Sequence, residues 1–419
     1  MKRALVLLTT AFPFAPGEPY LEAELPILSQ RFDHIFLFTI GLTPGMAPVV
    51  STPNNVTVCN CAAQEAKQAK LRDAFAGLPF VFSQPHLPRA DLREAGRSPA
   101  KRAFLGYFLS RTERFTREIT DCLQCVDLSV FDSVTLYSYW LFTAASAAAE
   151  LKMILQKRGA KQVRFVSRAH GYDVYAARNA LSYLPCRTAI LEQADAVFVC
   201  SQDGRDLLRG AYPQYRDKIR TAYLGAEKGV YRRGSADGVL RIVSCGRAIA
   251  LKRIERIDAA LRLLPKTQRA EWTHIGDGPV LRTLRQKAQT LPGNITVHFP
   301  GAMAHTDVLR YYRTHAVDVF VSASRSEGLP VSAMEAMAFG VPIVVTRAGG
   351  CAELIDGGSN GILLPQDFSD RALAQAMQSV QRGGEEMRLA AFRVQQMKFD
   401  AQKNYAAFAE VLCAQDKDG

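Results

Sequence analysis

Two glutamates, Glu327 and Glu335, stand eight positions apart within residues 322–350, SASRSEGLPVSAMEAMAFGVPIVVTRAGG. Carboxylates at this spacing can work as an acid/base pair or grip hydroxyl groups, and their surroundings favour the second. Residues 317–324 (VDVFVSAS) read as a buried parallel strand. RSEGLP is a loop, and Pro330, with its fixed φ and missing N–H, suits the first turn of a helix. A helix over 331–339 stops at Gly340, and PIVVT is the next buried strand. The amides of Gly328 and Leu329 then lie at a helix start just past a strand end, where anions and phosphate above all are favoured. A bare carboxylate is repelled by phosphate, so the two glutamates more naturally accept from hydroxyls, and hydroxyls beside phosphates describe a sugar nucleotide. Taken singly, Glu335 also reads as a surface helix residue and Glu327 as a helix-start charge.

The elements that must hold such a site follow an alternating strand and helix pattern. Residues 4–10 form a first buried strand, followed by a proline-rich loop, AFPFAPGEP, then helix signals over 20–31. That loop is not G-x-G-x-x-G, which weighs against a nicotinamide-dependent dehydrogenase. Further strands are expected at 35–40, 56–61, 134–140, 164–167, 196–201 and 220–225, with 62–127 mostly helical. The 164–167 strand runs straight into Arg168-Ala169-His170-Gly171-Tyr172-Asp173, which sets His170 at a strand end. Residues 229–239 are polar and aperiodic and read as a linker. The pattern then restarts with a strand at 240–245, Gly246-Arg247, and Lys252-Arg253 at a helix start, where cations could neutralise a diphosphate. A strand at 272–275 enters Gly276-Asp277-Gly278-Pro279, a tight turn before a helix.

Glu327 and Glu335, with Gly328, Leu329 and Pro330 between them, resemble the E-x7-E signature of retaining glycosyltransferases of the GT-B fold, family 4. Arg247 and Lys252 resemble that family's G-R-(x)n-K pattern, Gly276 its G-x-G-P turn, and His170 its H-G-x-D stretch. The resemblance implies an α/β fold of two Rossmann-like domains with parallel sheets facing across a cleft. It divides the chain into an acceptor-side domain at 1–228, a linker at 229–239, a donor-binding domain at 240–395, and a last helix at 396–419 packing back on the first domain. It implies a nucleoside-diphosphate sugar as donor and a saccharide or lipid-linked acceptor. Arg247, Lys252 and the amides near Gly328 and Leu329 then stabilise the departing phosphate, so that no divalent metal or other cofactor is needed. Glu335 binds ribose hydroxyls, Glu327 the sugar near its 3- and 4-positions, and His170 the sugar from the opposite wall. Met303, with Ala302, is a candidate for the base. Gly17 is the nearest candidate for a close backbone approach, Glu18 for an acceptor hydroxyl, and Asp173 falls on the acceptor side. A proline-stiffened turn accounts equally well for Gly17 and Glu18.

A glycosidase pair is disfavoured. Such pairs need carboxyls about 5 Å apart or roughly 6.5–9.5 Å apart, whereas eight helical steps give about 12 Å at ~1.5 Å each. A sugar phosphorylase, a nucleotide-sugar epimerase, and a non-catalytic sugar-nucleotide binder remain open alternatives.

At 419 residues, two domains are the prior. The net charge of +12 suits anionic partners, but no nucleic-acid module is present. Residues 101–119 alternate basic residues with Phe, Leu and Tyr. They read as a core-facing helix with a solvated basic side, or as a helix resting peripherally on an anionic membrane. The nine cysteines mostly fall in apolar stretches, as in a reducing, cytoplasmic setting. Cys122 and Cys125 have C-x-x-C spacing without a second pair, and Cys59 and Cys61 alternate on a strand, so neither suggests a metal. Asp416 and Asp418 spell D-x-D in a tail expected to fray. Met1-Lys2-Arg3-Ala4 leads into a first Rossmann strand better than into a signal peptide, and no apolar run reaches about 18 residues.

Overall fold

The computed structural model describes residues 1–14, 17–40, 46–61, 89–124, 126–179 and 181–414. Cys125, the 62–88 part of the expected helical stretch, and the Asp416–Asp418 tail lie outside them. The chain divides into two compact units, Met1–Ala222 with Tyr405–Gly419, and Tyr223–Asn404.

In the first unit the chain runs β1 (Arg3–Thr9), α1 (Leu21–Ser29), β2 (His34–Ile40), β3 (Val56–Cys61), α2 (Arg89–Ala95) and α3 (Pro99–Gln124). It continues through β4 (Ser133–Ser138), α4 (Thr143–Lys157), β5 (Val163–Ala169), α5 (Arg187–Gln193), β6 (Ala196–Val199), α6 (Gln202–Ala211) and β7 (Ile219–Thr221). All strand pairs are parallel, in the order β3-β2-β1-β4-β5-β6-β7. β1, RALVLLT, has no alternation because both its faces are buried: Ala4 to Leu8 are all fully buried. The order reverses between β1 and β4, and in such sheets ligands bind beyond the strand ends at the reversal.

The long helix α3 settles one of the alternatives left by its sequence. Leu105, Phe108, Leu109, Phe115, Ile119 and Leu123 lie in the core of the first unit, so its apolar stripe is not available to a membrane. Arg102 and Arg117 on its other side are exposed. Among the described residues no helix is long and apolar enough to cross a membrane.

The second unit runs β8 (Leu240–Cys245), α7 (Glu255–Leu261), β9 (Ala270–Ile275), α8 (Leu281–Ala288), β10 (Ile295–Gly301), α9 (His305–Thr314) and β11 (Val319–Ser322). Then come α10 (Val331–Met337), β12 (Ile343–Thr346), β13 (Gly361–Leu364), α11 (Asp370–Lys398) and α12 (Ala401–Cys413). Its sheet is also fully parallel, in the order β10-β9-β8-β11-β12-β13, with the reversal between β8 and β11. Gly384, at φ 54°, breaks α11.

The expected linker is no linker. The division falls at Ala222, and residues 229–235 are packed onto the second unit. A Cβ on Gly229 would lie 2.3 Å from the Ala338 carbonyl oxygen, and the Tyr231 ring meets Phe392 at 5.6 Å. Ser235 donates to Asp318 at 3.1 Å. A polar, aperiodic stretch can be held by single anchors that leave no periodic trace. At the other end, α12 begins in the second unit and from Tyr405 onward belongs to the first. There the buried Arg168 lies 4.1 Å from the Phe408 ring centroid while its Nη1 donates to Glu24 at 2.6 Å. Both charges are fully buried and compensate each other.

Candidate functional site

At the reversal point of the second sheet, the loops after β8 and β11 lie side by side. Cys245, Gly246, Arg247, Lys252, Ser322 and Ser324 line one crevice there. Three turns are knitted together by their backbones: Gly246 N–H donates to the Ile275 carbonyl at 2.9 Å, Ala248 N–H to Asp277 at 2.9 Å, and Gly276 N–H to Gly301 at 2.8 Å. The fit requires glycine. At Gly276, with φ 146°, a Cβ would lie 1.9 Å from the Gly246 carbonyl oxygen. Arg325 N–H donates to the Leu251 carbonyl at 2.9 Å, joining the β11 loop to the β8 loop.

Lys252 Nζ donates to Glu327 Oε1 at 2.5 Å. Arg247 is exposed at the same crevice and forms no ion pair among the described residues. Arg253, read from sequence as a second cation for the ligand, is instead structural. Its guanidinium donates to the carbonyls of Ala323 at 2.6 Å, Gln366 at 2.8 Å and Ser324 at 3.3 Å. The chain reverses at this residue, with φ 46°, which turns Arg253 inward while Lys252 faces the crevice.

The E-x-x-x-x-x-x-x-E segment is largely buried. Glu327, Gly328, Leu329 and Pro330 are all buried, and Glu335 is 6% exposed. The amides of Glu327, Gly328 and Leu329 meet no acceptor among the described residues. Amides of buried residues are rarely left so, and three in succession on a segment paired to a lysine are available to accept an anion. α10 starts at Val331, as expected, with Pro330 extended just before it rather than in its first turn; the helix ends at Met337, two residues short of the expected 339, and Gly340 at φ 74° follows.

Glu335 accepts a hydrogen bond from His305 Nε2 at 3.0 Å. The Cys245 thiol is pushed up to about 12 by burial first and by the negative charge of Glu335 second, while Lys252 opposes the shift. Arg247, Lys252, Glu327 and Glu335 thus gather around one end of the sheet. Met303 is half-buried in the loop between β10 and α9, next to the Gly276–Gly301 contact. Nearby, His274 is 1% exposed, shares a hydrogen bond with Ser244 Oγ at 2.9 Å, and is held by burial at about 4.

The candidates of the first unit separate into one open group and two closed ones. His170 Nε2 donates to the Tyr139 carbonyl at 3.0 Å, and the ring packs 4.6 Å from both Tyr139 and Trp140. Burial, with Arg168 adding to it, lowers the imidazole to about 3, so it is neutral. Its Nδ1 has no partner among the described residues and can accept a hydrogen bond. Glu18, expected to reach an acceptor hydroxyl, does not face a ligand. Its Oε1 accepts from Thr10 N–H, Thr10 Oγ1 and Trp140 Nε1, each at 2.7 Å. Its Oε2 accepts from Ala11 N–H at 2.8 Å and Phe12 N–H at 2.7 Å, and the residue is 1% exposed. Glu18 therefore clamps the loop after β1. Asp173 is likewise closed: it accepts from His170 N–H at 2.9 Å, Gly171 N–H at 3.0 Å and Leu141 N–H at 2.9 Å. It orients the backbone that carries His170. Gly17 is exposed, and a Cβ there would lie 2.9 Å from Ala11 Cβ, so it serves the tightness of the turn.

Sequence reasoning missed His305 and the indole of Trp140. A histidine opening a helix carries no signal of its own, and the partner of each lies far along the chain.

Residues 232–391 match the family described as glycosyl transferases group 1. A putative teichuronic acid biosynthesis glycosyltransferase of Bacillus subtilis is 33% identical over 168 residues, which is 39% of this chain and 40% of that protein. A putative colanic acid biosynthesis glycosyltransferase of Salmonella typhimurium is 27% identical over 245 residues, 55% of this chain and 58% of that protein. The matches thus span less than two thirds of either relative. Among solved structures, a sucrose-phosphate synthase from Thermosynechococcus elongatus superimposes with a TM-score of 0.68 at 18% identity, covering 98% of each chain. The chain has the GT-B fold, two Rossmann-like units built on parallel sheets, and most of its second unit matches the glycosyl transferases group 1 family.

Proposed function

We propose that the protein is a retaining glycosyltransferase of family 4. It moves a sugar from a nucleoside-diphosphate sugar to a saccharide or lipid-linked acceptor in surface polysaccharide biosynthesis. The observation that carries this is the meeting of Lys252, Arg247 and three amides without an acceptor among the described residues with two half-occupied carboxylates at one sheet reversal. Cations and amides stabilise charge on a departing diphosphate, and the carboxylates accept from hydroxyls. Arg247 and Lys252 take the role that a divalent metal plays elsewhere, so the reaction as proposed requires none. Glu327 and Glu335 keep the sugar and ribose roles that the resemblance assigns. His170, neutral with Nδ1 open, suits a contact with a sugar hydroxyl rather than proton abstraction. The proton of the acceptor goes to the departing phosphate oxygen.

The surface-polysaccharide assignment is supported by the relatives named for teichuronic and colanic acid biosynthesis. Free cysteines throughout the described residues support a reducing, cytoplasmic setting. A peripheral membrane contact would be electrostatic, through exposed residues such as Arg102 and Arg117.

The test is a panel of nucleotide sugars, with and without oligosaccharide and lipid-linked acceptors, read by released nucleoside diphosphate and by NMR of the product. Acceptor-dependent release from one donor, with the anomeric configuration kept, is expected. Epimerisation of the donor, or cleavage that depends on inorganic phosphate, overturns the reading. Donor binding without turnover on any acceptor points to a sugar-nucleotide sensor.

A further inference from the structure

We propose that His305 is a positioning residue that aims Glu335 at the ribose hydroxyls of the donor, an inference that rests on the reading of the second unit as a nucleoside-diphosphate-sugar site. A carboxylate only accepts, so the 3.0 Å contact requires the proton on His305 Nε2. The terminal torsion of a glutamate is broad and nearly two-fold. A donor on Oε1 fixes it and leaves Oε2 as the oxygen with a set direction.

The placement of His305 supports the role. It is the first residue of α9, immediately after the loop that carries Met303, so one side chain links the expected base-side loop to the ribose-side carboxylate. It is no core filler, since its side chain is 34% exposed whereas that of Glu335 is 8% exposed. Its helix is firmly seated: Tyr312, two turns on, is 1% exposed and stacks on Phe339 at 5.7 Å, just past the end of α10. A donor carried on a packed helix holds geometry better than one on a free loop.

The discriminating measurement is the ratio of affinities for a ribonucleoside diphosphate and its 2′-deoxy analogue. UDP, GDP and ADP are first titrated against the full-length wild type, and the one that binds is paired with its 2′-deoxy form. A hydrogen bond to a fixed carboxylate should favour the ribo form by about tenfold or more in the wild type. In H305A the ribo form should weaken towards the deoxy form, the deoxy affinity should hold, and the ratio should shrink to about threefold or less. H305Q, which keeps an N–H donor, should restore part of the ratio. In turnover the donor KM should rise in H305A with little change in kcat. Equal weakening of both nucleotides in H305A shows a helix-start role only and overturns the proposal, as does an unchanged ratio. A wild type that binds none of the three nucleotides overturns the proposed function itself, and this inference falls with it.

Discussion

Lys252 Nζ lies 2.5 Å from Glu327 Oε1, between residues 75 positions apart. The lysine side chain is 24% exposed and the glutamate side chain 8% exposed, so the pair is only partly hydrated. The cation thus faces the crevice on one side and satisfies a buried acid on the other. An arriving phosphate adds a second anion to Lys252 without leaving Glu327 unpaired, and the free Glu327 oxygen stays able to accept. Glu335 is arranged in the same way, with His305 on one oxygen.

Replacing Lys252 by Ala should lower kcat/KM for the nucleotide-sugar donor by about a hundredfold or more, because charge on the leaving group loses a preorganised cation. It should also destabilise the fold by about 1–3 kcal/mol, since Glu327 stays buried without its donor. Steady-state kinetics and urea denaturation check the two parts. Lys252→Arg should recover more stability than activity, because a planar guanidinium does not reproduce a point charge.

Gly276→Ala forces a Cβ to 1.9 Å from a carbonyl oxygen at a backbone conformation that L residues avoid. The turn must shift, and with it the Gly246–Arg247 loop that packs against it. A loss of about 2–4 kcal/mol is expected, together with weaker nucleoside-diphosphate binding by calorimetry. Gly293→Ala, where a Cβ meets nothing within 4 Å, is the control and should leave both readings unchanged.

Glu18→Gln changes one of two carboxylate oxygens into a donor while five donors still point at them. Clashing donors in a buried clamp should cost about 2–3 kcal/mol in chemical denaturation. Trp140 fluorescence should shift as its indole N–H loses a charged partner. An acceptor-binding role for Glu18 would instead leave stability intact and raise only the acceptor KM.

Burial holds His274 at about 4 and His170 at about 3, both below the ordinary 6.5 of an imidazole. The unfolded chain takes up these protons below pH 6.5 and the folded chain does not. Stability from this source is therefore complete above pH 6.5 and is lost as pH falls towards 4, at about 1.4 kcal/mol per pH unit for each histidine. Buried Glu24, Asp91 and Asp173 are raised by burial and act in the opposite sense at acid pH, so a difference curve is the proper readout. Wild type should lose about 2 kcal/mol more than His274→Phe between pH 6.5 and 5. Parallel curves would show that His274 is charged in the folded state.

The sequence by itself determined the local pieces. Apolar runs marked the strands, the RSEGLP loop and Gly340 bounded α10, and the spacing of Glu327 and Glu335 set an acid in the loop and an acid in the helix. Those signals are legible because backbone preference and side-chain periodicity act over a few residues. Tertiary structure alone decided which side chains face a ligand. Lys252 and Arg253 are neighbours at one turn, yet a left-handed residue sends one to the crevice and the other onto three carbonyls. Glu18 and Asp173 looked as available as Glu327, but nearby amides satisfy them from within the first unit. His305 gained its partner 30 positions away only because the strand order reverses beside β8. The partner of a polar side chain is set by which loops the sheet order brings together, and that is a property of the whole chain rather than of any segment.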